Sequence, residues 1–528
     1  MKTPAATASL APVVRPAWVV GFVGHRLGID EARLAPLVTA ELRRLRDAVA
    51  AAGGELHFYA SVADGADLLA LDAAAALGLA QHVVLPMPEE DFLRPFHSPT
   101  GRARAKARLE AIRAEPGRHT WRVAATSLAV PAAYFEADVG IVEACDVLLA
   151  VWDGKPEGGL GGTAQLVALA RAQRRPIVWI HRDTGEVTRE GFAADWPAPD
   201  AKLQFFAAKG IVRIVASADA APVDADASVA ENPAVSGRIK ARLSGLANPD
   251  AARFRVAIGM FSILSALATV VGALAGLLPG ATAGQQAAGL LVYEVEWVLL
   301  MAVLVFKLHR WRKQLRNEWI DARFGAELYR GLSTSQPLLD PLHPPVAALR
   351  PEWRRYALTL GLLLHRERAP GFAFATFRTA YRDQRLTDQA AHFAKTARTS
   401  RWKSRAWELT TDATIVGAVG MISLAYVNRA WVLRWQEAYG LVGVTLVGLL
   451  PVLLPAMVSL ASALPLILDD DRRAARYPEI ARRLAALAVE ADHQHTEGSL
   501  RRFVAATEAL LLDELLEWYS VTSRADSN

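Results

Sequence analysis

The stretch Trp18-Val19-Val20-Gly21-Phe22-Val23-Gly24-His25-Arg26 decides how this chain is read. A strand-sized apolar run, 18–23, breaks at a glycine and runs into two basic side chains. Downstream the pattern changes period. Leu34, Leu37, Val38, Leu42, Leu45 and Val49 recur at helical spacing, predicting a helix over 31–51. A strand follows at 56–60, then a helix over 66–78 that ends at Gly78. A strand at 83–85 is stopped by Pro86. After a helical middle come a strand at 147–152, a glycine-rich loop, a helix from Thr163 and a strand at 177–180. This alternation predicts a mostly parallel sheet with helices on its faces. Ligands of such sheets bind beyond the carboxyl ends of the strands.

Three strand-end loops carry the candidate binding residues. In the first, Gly24 permits close backbone approach, His25 lies in the ligand loop and Arg26 suits a phosphate. The second is Ala63-Asp64-Gly65-Ala66-Asp67, ahead of a helix. Asp64 and Asp67 are suited to capping that helix or accepting ribose hydroxyls, and their charge repels a phosphate there. The third runs Trp152-Asp153-Gly154, then Gly158-Gly159-Leu160-Gly161-Gly162-Thr163. It ends at a helix N-terminus, where amides and dipole favour an anion. The plainer alternative is that these glycines only form turns and the aspartates only cap helices.

The C-terminal half reads differently. Mean hydropathy is +0.18, high for a water-soluble chain. Residues 256–278 are 23 in a row without a charge, about 34 Å as a helix. Residues 290–306 form a return segment, followed at once by Lys307, His309, Arg310, Arg312, Lys313 and Arg316. A second pair is read at 413–433, with Arg429 snorkelling, and 438–468, which holds Pro451, Pro455 and Pro465. Basic flanks predict four spans with both termini cytoplasmic, in a bacterial inner membrane. Glu294 and Glu296 are candidate pore-mouth residues, or headgroup-level residues beside Tyr293 and Trp297. The predicted divisions are 1–216, a linker over 217–250, a first hairpin with its juxtamembrane helix over 251–332, a proline-rich connector over 333–370, and a second hairpin with cytosolic helices over 371–528. The fold expected overall is thus an α/β Rossmann-like domain with a parallel sheet, joined to an α-helical transmembrane part of two hairpins.

Composition limits the remaining classes. Of 528 residues, 59 are Lys or Arg and 54 Asp or Glu, a net charge of +5 that by itself calls for no nucleic-acid partner. Charged residues at 21% and hydrophobic ones at 52% exclude a disordered chain. The single cysteine, Cys145, excludes an intrachain disulfide framework and a cysteine-rich zinc site. The histidines show no metal-ligand spacing: His493 and His495 are two apart and do not share a helix face. Residues 1–17 contain no long apolar core of a secretory signal. No metal and no catalytic residue is assigned.

The stretches Val20-Gly-Phe-Val-Gly-His-Arg26, Ala63-Asp-Gly-Ala-Asp67, Asp146-Val-Leu-Leu-Ala-Val-Trp-Asp-Gly154 and Gly161-Gly-Thr-Ala-Gln165 resemble the SLOG family of nucleotide-sensing, Rossmann-like domains. That resemblance implies a ligand with ribose and phosphate groups. The family includes the Lonely-guy phosphoribohydrolases, whose glycine-rich loop is followed by a catalytic Glu. Here that position is Gln165, and an amide cannot serve as a carboxylate base. The departure favours sensing over hydrolysis, with Glu157 or Asp153 as substitutes for the missing carboxylate. Tyr381-Arg-Asp-Gln-Arg385, Asp388-Gln389, Glu508, Glu514 and Trp518 resemble SLATT membrane effectors. Together the two resemblances imply a bacterial antiphage effector of the CBASS type. In that reading a nucleotide second messenger opens a pore built by a homo-oligomer in the lipid bilayer. A membrane-anchored nucleotide N-glycosidase and a non-gated membrane scaffold are the alternatives.

Overall fold

The computed structural model describes residues 13–524 except 97, 116–118, 124–129, 157–161, 215–236, 244, 246–259, 261–262, 265, 269–270, 272–293, 296–297, 300, 303–310, 337, 347–349, 368–372, 428–433 and 435–469. Two compact units are present, and neither follows the linear order of the chain. The first gathers Met1–Leu243, Gly325–Ala373 and Arg501–Glu517; the second gathers Ser244–Phe324, Phe374–Leu500 and Trp518–Asn528.

The first unit is built on a seven-stranded sheet. In chain order its elements are β1 (Ala17–Gly24), α1 (Glu31–Ala51), β2 (Glu55–Ala60), α2 (Ala66–Ala76), β3 (Ala80–Leu85), α3 (Glu89–Leu93), α4 (Pro99–Ala114), β4 (Thr120–Val123), α5 (Val130–Ala144), β5 (Val147–Trp152), α6 (Thr163–Ala172), β6 (Ile177–His181), β7 (Val187–Glu190) and α7 (Ala201–Ala208). The strand order is β4-β3-β2-β1-β5-β6-β7. β1 is central, parallel to β2 with Val20 opposite Phe58 and to β5 with Val20 opposite Val147. The chain builds outward from β1 to β4, then returns to lay β5 on the other side of β1. The direction of winding therefore reverses between β1 and β5, which is the switch point where open α/β sheets form their crevice.

Burial explains the composition of the strands. Every residue of β3 and β5 is buried, as expected of strands covered on both faces. One face packs on Leu34, Val38, Leu42, Leu45 and Val49 of α1 and on α2 and α4. Asp30 caps α1, its Oδ1 accepting the Arg33 N–H at 3.2 Å. The other face packs on Ile141 of α5 and on Leu166 and Val167 of α6. It is also covered by Leu358 and Leu362 of a helix far along the chain. After α8 (Trp311–Ser335) that helix is α9 (Arg354–Arg366). Arg354 and Arg355 both reach the carboxylate of Asp146, at 2.5 and 3.2 Å. His343 donates from Nε2 to the Gly140 carbonyl at 2.8 Å, and its Nδ1 lies 2.9 Å from Asp340 Oδ2.

In the second unit α10 (Phe374–Ala380) passes through a π-helical turn, Tyr381–Thr387, into the 40-residue α11 (Asp388–Val427). α11 runs antiparallel to α12 (Asp470–Ala491): Ser400 Oγ donates to Asp470 at 2.9 Å and Phe393 packs on Tyr477 at 4.8 Å. Arg382 in the π turn pairs with Asp492 at 2.7 Å, so the Tyr381–Arg385 motif pins this turn to the end of α12. A last helix, α13 (Glu497–Arg524), brings Trp518 edge-on to Trp319 at 5.6 Å.

Two sequence expectations need correction. The sheet is mixed: β7 pairs antiparallel with β6, closing an edge that the alternation of strands and helices did not signal. The four-span transmembrane part, and with it a multi-pass inner-membrane location, is overturned, because among the described residues no helix is long and apolar enough to cross a membrane. The predicted span 413–433 is described up to Val427, where it is the end of α11. Its uncharged run of 15 residues covers about 22 Å, short of a ~30 Å hydrocarbon core, and Glu408 and Asp412 precede it in the same helix. Of 256–278 and 290–306 only scattered residues are described, and 438–468 lies outside the described residues. Glu294 is exposed, Glu296 lies outside the described residues, and the pore role proposed for both falls with the spans.

Candidate functional site

The strand ends at the switch point bring the first and third predicted loops together. Asp153 follows β5 and its carboxylate is the meeting point. His25, from the loop after β1, places Nε2 3.2 Å from Asp153 Oδ1 and 3.3 Å from the Asp153 amide. As an acceptor Nε2 takes that N–H; as a donor it pairs with the carboxylate. Arg182, from the loop after β6, comes within 3.5 Å of Asp153 Oδ2 and also pairs with Asp183 at 2.8 Å. The Lys155 amide donates to Asp153 Oδ1 at 3.2 Å, closing a turn in which Gly154 has φ +76°. Burial raises the Asp153 carboxyl, but the Lys155 amide, His25 and Arg182 outweigh it and hold it below its ordinary value. Trp152 faces inward, its Nε1 donating to the Lys155 carbonyl at 3.0 Å and its ring lying 5.3 Å from that of Trp179.

The two helix N-termini at these strand ends differ. At α2 the position is filled by the protein itself. The Ala66 amide donates to the His25 carbonyl at 3.1 Å, and Asp67 Oδ2 accepts the Ala63 N–H at 3.2 Å. A Cβ on Gly24 would lie 2.6 Å from that of Ala66, so the close approach permitted by Gly24 is to helix α2. At α6, Gly162 is the N-cap and supplies no side-chain cap, with Thr163 opening the first turn. Among the described residues no side-chain cap fills that helix start. Gly161 and Glu157 lie outside the described residues; Gln165 is in the first turn of α6, its backbone N–H donating to the Gly162 carbonyl at 3.0 Å.

Gly65 joins the first two loops. Its φ is +91°, and a Cβ there would lie 2.3 Å from the Arg26 carbonyl oxygen. Gly65→Ala is therefore expected to displace the His25–Arg26 backbone. It should destabilise the chain by roughly 1–3 kcal/mol, read as a lower melting temperature. An unchanged melt would show that the loop yields freely. Asp64 turns away from the other two loops. Its Oδ1 accepts the Gly65 N–H at 3.0 Å and packs on Gly101 in the first turn of α4.

Two site residues were missed by sequence reasoning. Arg182 directly follows β6, so the carboxyl-end rule alone could have found it. Asp138, on α5, carries no local signal. It faces Asp67 and Arg26, while Arg26 stacks over Tyr134, one turn before Asp138, at 4.2 Å from the ring centre. Desolvation pushes Asp67 up to about 7, opposed by Arg26 and the Ala63 amide. Desolvation and then Asp67 push Asp138 up to about 8, opposed by Arg26. An unfolded aspartate titrates near ~3.9. Both groups therefore favour the folded state fully below about pH 4, and that contribution is lost as pH rises through about 7 and 8. The melting temperature of the wild type is expected to fall more steeply between about pH 5 and 9 than that of Asp67→Asn/Asp138→Asn. Equal slopes would remove the pair from the account.

Among the described residues no group of three or more His, Cys, Asp or Glu is placed to hold a metal ion. Comparison with protein-family models and with curated protein sequences finds no match for the chain. The functional reading therefore rests on this geometry and on the sequence motifs.

Proposed function

We propose that the α/β unit binds a nucleotide-derived signal at the switch point between β1 and β5 and acts as its sensor. The observation that carries this reading is the convergence on Asp153 of His25 and Arg182, from the ends of three strands. Arg26, Lys155 and Arg182 bring three basic side chains to these loops, the last two beside the Asp153 carboxylate, which suits a phosphate, while the α6 amides add oriented donors. The resemblance to nucleotide-sensing domains points the same way. No membrane step belongs to this reading.

A second reading, nucleotide hydrolysis, is favoured by one observation. The Asp153 carboxylate, held by His25 and Arg182 at the strand ends, is the kind of group such a reaction needs. Gln165 in place of a carboxylate argues against it. The test uses the full chain, since α9 belongs to the same unit as the sheet. The chain is melted with a panel of linear and cyclic nucleotides, and each mixture is then separated by chromatography. A stabilising nucleotide recovered intact supports the sensor, and one recovered cleaved supports the hydrolase. No stabilisation by any member counts against both.

A further inference from the structure

The face of α11 turned away from α12 carries large apolar side chains in water. Trp402 is 71% exposed, Leu409 70% and Val416 71%. They are spaced by seven. At ~100° per residue they lie about 160–200° around the helix from Ser400, which bonds to α12. Val419, 59% exposed, lies on one flank of the stripe, about 60° around the helix from Val416. Apolar side chains repeated at this spacing form the seam by which one helix packs on another, and a contiguous exposed patch marks an interaction surface.

The charges along the same face select the occupant. Arg405 and Asp412 are both exposed, and among the described residues neither has an ion-pair partner. They flank Leu409 on opposite sides, four residues before and three after. A second copy crossing antiparallel, with a two-fold axis near Leu409, brings Trp402 towards the partner's Val416. The same crossing sets Arg405 beside the partner's Asp412, twice over by symmetry. A parallel, in-register pair would set Arg405 against itself and Asp412 against itself, two like-charge contacts. The stripe is self-complementary in one direction only, as an isologous two-fold interface requires.

We infer that the Trp402–Leu409–Val416 face of α11 is the dimer interface of this protein, occupied by the same face of a second copy running antiparallel. This proposal is independent of the nucleotide reading, because its residues lie on α11 and not at the sheet.

Sedimentation equilibrium of the full chain tests it, with helix content by circular dichroism as the folding control. The wild type should dimerise. Arg405→Asp and Asp412→Arg should each weaken the dimer at least about tenfold by creating like-charge contacts, and the double reversal should restore it. Disulfide trapping adds direction, since the native Cys145 is buried and leaves the readout clean. Leu409→Cys should cross-link to itself, while Trp402→Cys alone should not. A monomeric wild type, single reversals that leave the dimer intact, a double reversal no tighter than the singles, or Trp402→Cys linking as readily as Leu409→Cys would each overturn the interface.

Discussion

Asp146→Ala is expected to lower the melting temperature of the full chain by about 10 °C. Asp146 precedes β5, and each of its oxygens is committed. Oδ2 accepts the Val19 N–H of β1 at 2.8 Å, and Oδ1 accepts Arg354 at 2.5 Å and Arg355 at 3.2 Å. The arginines arrive from α9, 208 and 209 residues away in sequence. They are nearly buried themselves, at 11% and 14% exposure. Arg354 also donates to the Ala144 carbonyl. Arg355 donates to the Ala17 carbonyl at 2.9 Å and lies 3.3 Å over the Trp18 ring. Alanine would leave two guanidiniums and a strand amide without their shared acceptor, a loss of roughly 3–5 kcal/mol.

The pH dependence of this contact follows from its charge. Burial raises the Asp146 carboxyl, but Arg354 and Arg355, with the Val19 amide, outweigh burial and hold it below the ordinary value. Its contribution is therefore present above the unfolded value near ~4 and lost as pH falls through the lower folded value. The acid limb of the wild-type stability curve should flatten in Asp146→Asn. A melting temperature of Asp146→Ala within ~2 °C of wild type would mean that α9 is held without this ion pair, by its apolar contacts and its remaining hydrogen bonds.

Arg26→Ala is expected to weaken the stabilising nucleotide by about 10–100-fold while leaving the unliganded melt nearly unchanged at about pH 5 and below, where Asp67 and Asp138 are protonated with or without it. The asymmetry comes from exposure. Arg26 is exposed, and the contact the structure gives its guanidinium is the Tyr134 ring. A phosphate drawing it away loses little, whereas its removal deletes a charged, forked donor from the rim. Arg26→Lys should recover only part of the affinity, because the ammonium keeps the charge but not the planar fork. Arg26 is also the cation that opposes the upward shift of Asp67 and Asp138. Its loss should therefore move the high-pH decline in stability to higher pH, a readout that needs no ligand. Unchanged nucleotide affinity in Arg26→Ala would remove this residue from the site.

Much of the first unit was legible because its signals are local. The apolar run ending at Gly24, the helical spacing from Leu34 to Val49 and the stop at Gly78 depend only on neighbours within a turn or a strand. Gly24 was read as permitting close backbone approach and Gly65 as part of a ligand loop, yet what lies against each could not be read. It is Ala66 in one case and the Arg26 backbone in the other. Hydropathy misled where it was used as a count of apolar residues: the run at 413–427 is the end of a long helix that begins charged.

From sequence alone came the period of each segment, and hence the alternation of strands and helices, the loops at the strand ends and the basic and acidic residues within them. These follow from side-chain direction, which repeats every 2.0 residues in a strand and every 3.6 in a helix whatever the rest of the chain does. Only the tertiary structure decided the strand order, and with it the switch point where His25, Asp153 and Arg182 meet. Only it brought α9 to Asp146 and Asp138 to Asp67. Those contacts join residues tens to hundreds of positions apart. Their formation depends on which buried faces fit together once the whole sheet is covered, and no local period carries that information.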